Sequence, residues 1–167
     1  MNALFLSLRP LFAELILSGR KTVEVRRIVP RSARPGTLVL IYASTPEKAL
    51  WGLCFLDDVT TGRPETIWRK MGAKTGLRKR EFLSYLEGAE TAVALQVSKP
   101  IQFKRPIPLS EIRAAWDSFH PPQSFSYVSM LRLSALGAGP PPRPAATNAG
   151  AATRQEGSST KVMPERV

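Results

Sequence analysis

The hydrophobic period of this chain changes at Gly19, and that change restricts the folds open to it. Before the glycine, Leu11, Phe12, Leu15 and Ile16 recur at helical spacing behind Pro10, where proline opens a helix. After it, residues 21–29 alternate apolar and polar side chains with the period of a strand and stop at Pro30. Gly19 reads as the left-handed residue that ends the helix. A helix stopping against a half-buried strand calls for an α+β arrangement. Val23 and Val25 then face a core, and Thr22, Glu24 and Arg26 form a polar row repeating about every 6.6 Å. Two readings of that row stand open: its charges pair with one another on a solvated rim, or they face a ligand.

Further strands follow from composition. Residues 3–8 are a short apolar run, and residues 37–43 (TLVLIYA) are dense enough in β-branched and aromatic side chains for a fully buried central strand. Residues 51–59 and 91–97 read as two more, the latter resuming at residues 101–103 after Lys99-Pro100, with Pro106 and Pro108 closing the sheet. Ser44-Thr45-Pro46-Glu47 has the pattern of a single capped helical turn. Residues 62–88 and 109–119 are expected to be helical, and a proline turn at Pro121-Pro122 feeds a last strand reaching Val128.

At 167 residues the chain has length for one domain, placed at residues 1–133, and a tail. Residues 134–167 are rich in Ala, Gly, Pro, Ser and Thr, with too little apolar bulk to fold, so disorder is expected there. The formal net charge is +11, and all but two units of it lie in residues 1–133. Such a field favours anionic partners, nucleic acid first. Arg69, Lys70, Lys74, Arg78, Lys79 and Arg80 form the densest basic run, either a phosphate-tracking surface or a solvated helix face. No run of about 18 apolar residues is present, so no membrane span is expected. One cysteine, Cys54, and one histidine, His120, allow no internal disulfide and no cysteine-based zinc site. The expectation is a cytoplasmic protein without metal or cofactor.

Four motifs in order carry a resemblance: Ser7-Leu8-Arg9-Pro10 entering the helix; Gly19-Arg20-Lys21-Thr22-Val23-Glu24-Val25-Arg26-Arg27 leaving it; Leu40-Ile41-Tyr42-Ala43-Ser44-Thr45-Pro46 on the central strand; and Pro121-Pro122-Gln123-Ser124-Phe125 near the end. Together the chain resembles the ASCH domain family, relatives of the PUA domain. The resemblance implies a PUA-like small mixed β-barrel with short helices at its mouth, and a cleft beside the first helix. It implies RNA binding, RNA processing or transcription regulation. One branch of the family is similar to a small amidohydrolase acting on acylated cytidine, in which a lysine activates a threonine three positions on. Lys21 matches that lysine, but Glu24 stands at the threonine's place, and a carboxylate does not replace a hydroxyl nucleophile.

The candidate ligand-binding residues are therefore Arg9, Lys21, Thr22, Glu24, Arg26, Gln123 and Ser124. Lysine and arginine would contact phosphate, and Glu24 a base amino group or ribose hydroxyl. The leading function is binding of RNA or another nucleic acid. The alternative is a metal-independent hydrolase, a ribonuclease or nucleoside-directed enzyme, with Lys21 and Glu24 as its acid–base pair.

Overall fold

The central run forms a strand buried along its whole length, Leu38–Ala43, and the rest of the sheet is laid out on either side of it. The computed structural model describes residues 2–137. In chain order the elements are β1 (Asn2–Leu8), α1 (Pro10–Leu17), β2 (Val23–Arg26), β3 (Leu38–Ala43), β4 (Ala49–Gly62), α2 (Pro64–Met71), a single 3-10 turn (Gly72–Lys74), α3 (Lys79–Tyr85), β5 (Ala92–Pro108), α4 (Leu109–Ala115), β6 (Phe125–Ser129) and α5 (Met130–Ala135). The strands form one mixed sheet in the order β2-β5-β4-β3-β1-β6, in which β1 and β3 run parallel and the other pairs antiparallel.

This is the expected α+β fold, with one refinement: β2 and β6 stay at the two ends, so the sheet is not closed into a barrel. It curls instead. One core cluster unites Leu4, Leu6 and Leu8 of β1 with Val93, Leu95 and Val97 of β5, although β3 and β4 lie between those strands. A second cluster centres on Phe5, whose ring lies 5.3 Å from Tyr42, 6.3 Å from Trp116 and 5.2 Å from Phe119. Truncating such a ring costs about 3–5 kcal/mol, so this cluster is a principal anchor for α4. A third cluster packs Val23 and Val25 against Ile67 of α2 and Phe82 of α3. Trp116 lies in the core with its indole N–H donating to the Arg132 carbonyl, and Trp68 stacks on Phe82.

Several local expectations need correction. α1 buries Ala13, Ile16 and Leu17, while Leu11 is 60% exposed. The helix is apolar nearly all round, so periodicity alone does not select its inner face. Gly19 does adopt the left-handed conformation, at φ +75°. β2 is four residues long, not nine, because its ladder with β5 covers only Val23–Arg26. Residues 44–47 form a turn and no helix. β5 runs straight through Lys99-Pro100 and Pro106: beyond Val97 nothing pairs on its second edge, where prolines are tolerated, and irregularities in register with β4 absorb the kinks. α4 stops at Ala115, and Ser129 caps α5 by accepting from the Arg132 amide, a helix the sequence reading does not contain. Ser134 and Ala135, placed in the tail by composition, belong to α5. Residues 138–167 of the expected disordered tail lie outside the described residues.

Candidate nucleic-acid cleft

The curl of the sheet brings β2 beside β1, and at this place the molecule opens into a cleft of about 1010 Å³. Its walls come from the β1–α1 junction (Ser7, Arg9, Phe12), β2 (Glu24, Arg26), the end of β3 (Tyr42), the following turn (Ser44, Lys48), α3 (Glu81, Tyr85), α4 (Arg113) and the proline turn (Pro121, Pro122, Gln123). A register irregularity between Ile41 and Tyr42 interrupts the β3–β4 ladder at the point where Tyr42 enters the cleft wall. Bulges of this kind re-aim a side chain near a site.

At the floor, Lys21, Glu24 and Arg26 form one buried ionic chain. Lys21 is 2% exposed, and its ammonium lies 3.1 Å from Glu24 Oε2. It also donates to the Val23 carbonyl at 2.8 Å and to the Thr75 carbonyl. Two of its N–H bonds are thus committed to carbonyls, and the Glu24 carboxylate lies alongside as an ion pair. The Phe12 ring lies 5.3 Å from the same ammonium. Glu24 Oε1 lies 3.4 Å from Arg26 Nη2, which donates at 3.0 Å to the Ser7 carbonyl oxygen. Glu24 and Arg26 of the polar row therefore face inward, and these charges both pair with one another and line a cavity. By binding the Thr75 carbonyl, Lys21 also docks the connection between α2 and α3 against the sheet.

Around this floor the remaining cations have no carboxylate partner among the described residues. Arg9 stacks on Phe12, with its guanidinium carbon 4.8 Å from the ring centre. Arg113 donates through Nε to the Phe119 carbonyl at 3.2 Å, and Lys48 lines the rim. Burial pushes the Tyr42 phenol above its ordinary pKa of 10.0, with Arg113 opposing, so the hydroxyl stays protonated at physiological pH.

Of the residues singled out from sequence, Arg9, Lys21, Glu24, Arg26 and Gln123 line the cleft. Thr22 and Ser124 do not. Thr22 is exposed, and its backbone bridges Lys74 and Val97. The Ser124 carbonyl accepts from the Ser7 amide. Arg69, Lys70, Lys74, Arg78, Lys79 and Arg80 are all exposed and outside the lining, spread over α2, the 3-10 turn and the start of α3, of which α3 alone lines the cleft. None of the six has a carboxylate within ion-pair distance among the described residues. His120 is exposed and outside the lining, with Nδ1 3.0 Å from the Ser118 carbonyl oxygen. Sequence reasoning did not select Ser7, Tyr42, Lys48, Tyr85 or Arg113. Ser7 and Tyr42 fall inside the quoted motifs, but their strands read as wholly core. Among the described residues no three His, Cys, Asp or Glu side chains gather as a metal-ligating group, and no helix is long and apolar enough to cross a membrane.

A curled PUA-like sheet with a polar cleft beside its first helix defines the class. The ASCH domain matches residues 6–106, and the chain belongs to that family. An ASCH domain-containing ribonuclease from Zymomonas mobilis is 37% identical over 125 residues, covering 74% of this chain and 82% of that protein. The crystal structure of ASCH from Zymomonas mobilis superposes with a TM-score of 0.77 at 32% identity, covering 81% of this chain and 93% of that one. A tyrosine-to-phenylalanine variant of that protein gives 0.78 at 31% identity, covering 82% of this chain and 97% of that one.

Proposed function

We propose that this protein binds single-stranded RNA in the cleft and cleaves it there, as a metal-independent ribonuclease of the cytoplasm. The observation that carries the reading is the charge of the cleft: five cationic side chains, Arg9, Lys21, Arg26, Lys48 and Arg113, against two carboxylates, Glu24 and Glu81. A concave site with that excess concentrates a polyanion. Its volume lies at the upper end of small-ligand pockets, with room for more than one nucleotide. The half-open Tyr85, 41% exposed, offers a ring face on which an unpaired base can stack. The basic run on α2 and α3 extends the positive surface beyond the mouth, where flanking phosphates would track. The name of the Zymomonas mobilis relative supports RNA as the substrate and cleavage as the reaction.

The geometry favours a different division of labour from the Lys21–Glu24 acid–base pair. The Lys21 ammonium is buried, donates to two carbonyls and pairs with Glu24, which suits it to hold Glu24 and the α2–α3 connection. Tyr42, held neutral by burial and flanked by Arg113, is the better donor to a phosphate oxygen as charge develops there. The same engagement of Lys21, with Glu24 in the nucleophile's position, weighs against the acylated-nucleoside reading.

The test is incubation of purified protein with end-labelled single-stranded RNA, with and without chelator, beside binding measured from about 50 to 200 mM salt. Cleavage that persists in chelator and affinity that falls steeply with salt are expected. RNA left intact and unbound at low salt would refute the reading.

A further inference from the structure

We propose that the inner wall of the cleft, at Ser7 and Arg26, is a subsite that seats one backbone phosphate of the bound strand. The proposal rests on the RNA reading above and specifies where in the cleft the strand is anchored. Its first support is a pair of orphaned groups. Ser7 Oγ and Arg26 Nε are both buried and have no hydrogen-bond partner within the protein, in residues 9% and 8% exposed that line the cleft. Buried polar atoms are nearly always partnered, so two orphans in residues that line one cavity and bond to each other point to a ligand that meets them.

Their placement is rigid. Arg26 Nη2 is fixed by the Ser7 carbonyl at 3.0 Å and by Glu24 at 3.4 Å. Ser7 lies in register with Tyr42 on the neighbouring parallel strand. With Nη2 engaged, Nε–H is a free buried donor of the guanidinium, the group whose planar fork binds phosphate oxygens.

Charge adds a second, independent support. The buried chain holds two cations, Lys21 and Arg26, and one carboxylate, Glu24. The surplus positive charge sits in a place where unpaired charge is costly, and an anion bound against it removes that cost.

The choice of phosphate over a base edge follows from charge and from donor and acceptor counts. Guanine's O6/N7 edge also offers acceptors alone, but it is neutral, whereas a phosphate accepts through every oxygen and brings the negative charge that the surplus cation calls for. Arg26 Nε donates only, and the serine hydroxyl can turn its proton toward an oxygen. The one carboxylate nearby has each of its oxygens engaged by a cation.

The experiment is nitrogen-15 NMR on the full chain, following the Arg26 Nε–H cross-peak, assigned by its loss in Arg26→Lys. The protein is titrated with inorganic phosphate against chloride at matched ionic strength, and with a short single-stranded RNA. A saturable displacement of this peak by both ligands is expected, with Ser7→Ala weakening the phosphate titration about tenfold. If Arg26→Lys does not fold, selective arginine labelling together with Ser7→Ala carries the assignment and the test. A methylphosphonate scan along the RNA should reveal one position whose neutralisation weakens wild type more than it weakens Ser7→Ala. A peak that phosphate does not move, or a Ser7→Ala protein that titrates like wild type, overturns the subsite. If phosphate moves the peak while RNA neither binds nor is cleaved, the subsite stands and the RNA reading falls. If RNA binds with the peak unmoved, the subsite falls alone.

Discussion

Arg26 Nη2 donates to the Ser7 carbonyl oxygen at 3.0 Å, a bond between β2 and β1, which the sheet order separates by three intervening strands. The near-closure of the sheet is therefore made by a side chain instead of a backbone ladder. Because no ladder fills that place, the two strands can flank a polar cavity. The ionic chain behind Arg26 then has two roles, one in stability and one in displaying charge to the cleft.

Removing one member of that chain should be costly. Glu24→Gln leaves two buried cations without a carboxylate, and Lys21→Met leaves Glu24 short of a partner and the Thr75 carbonyl without its donor. Each should lower stability by about 3–5 kcal/mol in urea denaturation. The double variant Lys21→Met/Glu24→Leu should lose markedly less than the two single losses combined, because it leaves fewer charges unpaired. Small, additive losses would show that the chain does not hold the fold.

The basic run makes a separate prediction. Replacing Arg78, Lys79 and Arg80 together by Gln removes three cations that have no carboxylate partner among the described residues. Each phosphate that the variant no longer neutralises should reduce the salt slope of single-strand binding by about 0.7, and by the same amount for every RNA sequence. Fold stability should change by less than about 0.5 kcal/mol per site. A sequence-dependent effect would mean that these residues read bases.

How much of this is legible in the sequence differs by element. The break at Gly19, the buried β3 and the inward row Glu24–Arg26 follow from local periodicity. The inner face of α1 does not, because PLFAELIL offers apolar residues on every side. The unbroken β5 is hidden by its prolines, which signal a stop unless one knows that the strand's second edge is free beyond Val97. Tyr42 and Ser7 show the general difficulty. Both lie in strands whose neighbours are wholly core, and only the way β2 comes to lie beside β1 turns their positions into cleft wall. The five cleft cations arrive from separate parts of the chain, from the β1–α1 junction to α4, so their convergence is a property of topology and leaves no spacing in the sequence.

Cys54 gives a prediction in pH. Burial pushes its thiol up to about 12 from an ordinary 9.0, with Asp57 and Glu24 adding repulsion toward the thiolate. The folded protein holds this proton more tightly than the unfolded chain does. The contribution is therefore fully present below pH 9.0 and is lost as pH rises from 9.0 toward about 12. Wild type should lose up to about 1.4 kcal/mol per pH unit more than Cys54→Ala in that window, whatever offset the smaller side chain introduces. Alkylating reagents should label Cys54 in denaturant and leave the native protein almost untouched. Equal pH slopes in the two proteins would mean the thiol is not held protonated by the fold.

On the proposed function, a Tyr42 variant should separate binding from cleavage. Its ring packs on Phe5 at 5.3 Å and belongs to the same core cluster as Trp116, so Tyr42→Phe keeps the packing and removes only the hydroxyl. RNA affinity should change less than about threefold, since the five cleft cations remain and a single neutral hydrogen bond contributes little net free energy. Cleavage should fall by about 10²-fold or more, the usual cost of removing one donor to developing charge. Because burial raises the phenol above 10.0, the donor stays protonated across the neutral range. Wild-type cleavage should therefore show no alkaline loss attributable to Tyr42 below about pH 10. Single-turnover rates on one labelled RNA from about pH 6 to 10, beside equilibrium binding of the same RNA, measure both quantities. A Tyr42→Phe protein that cleaves at the wild-type rate would return the search for the catalytic donor to Lys48 and Arg113.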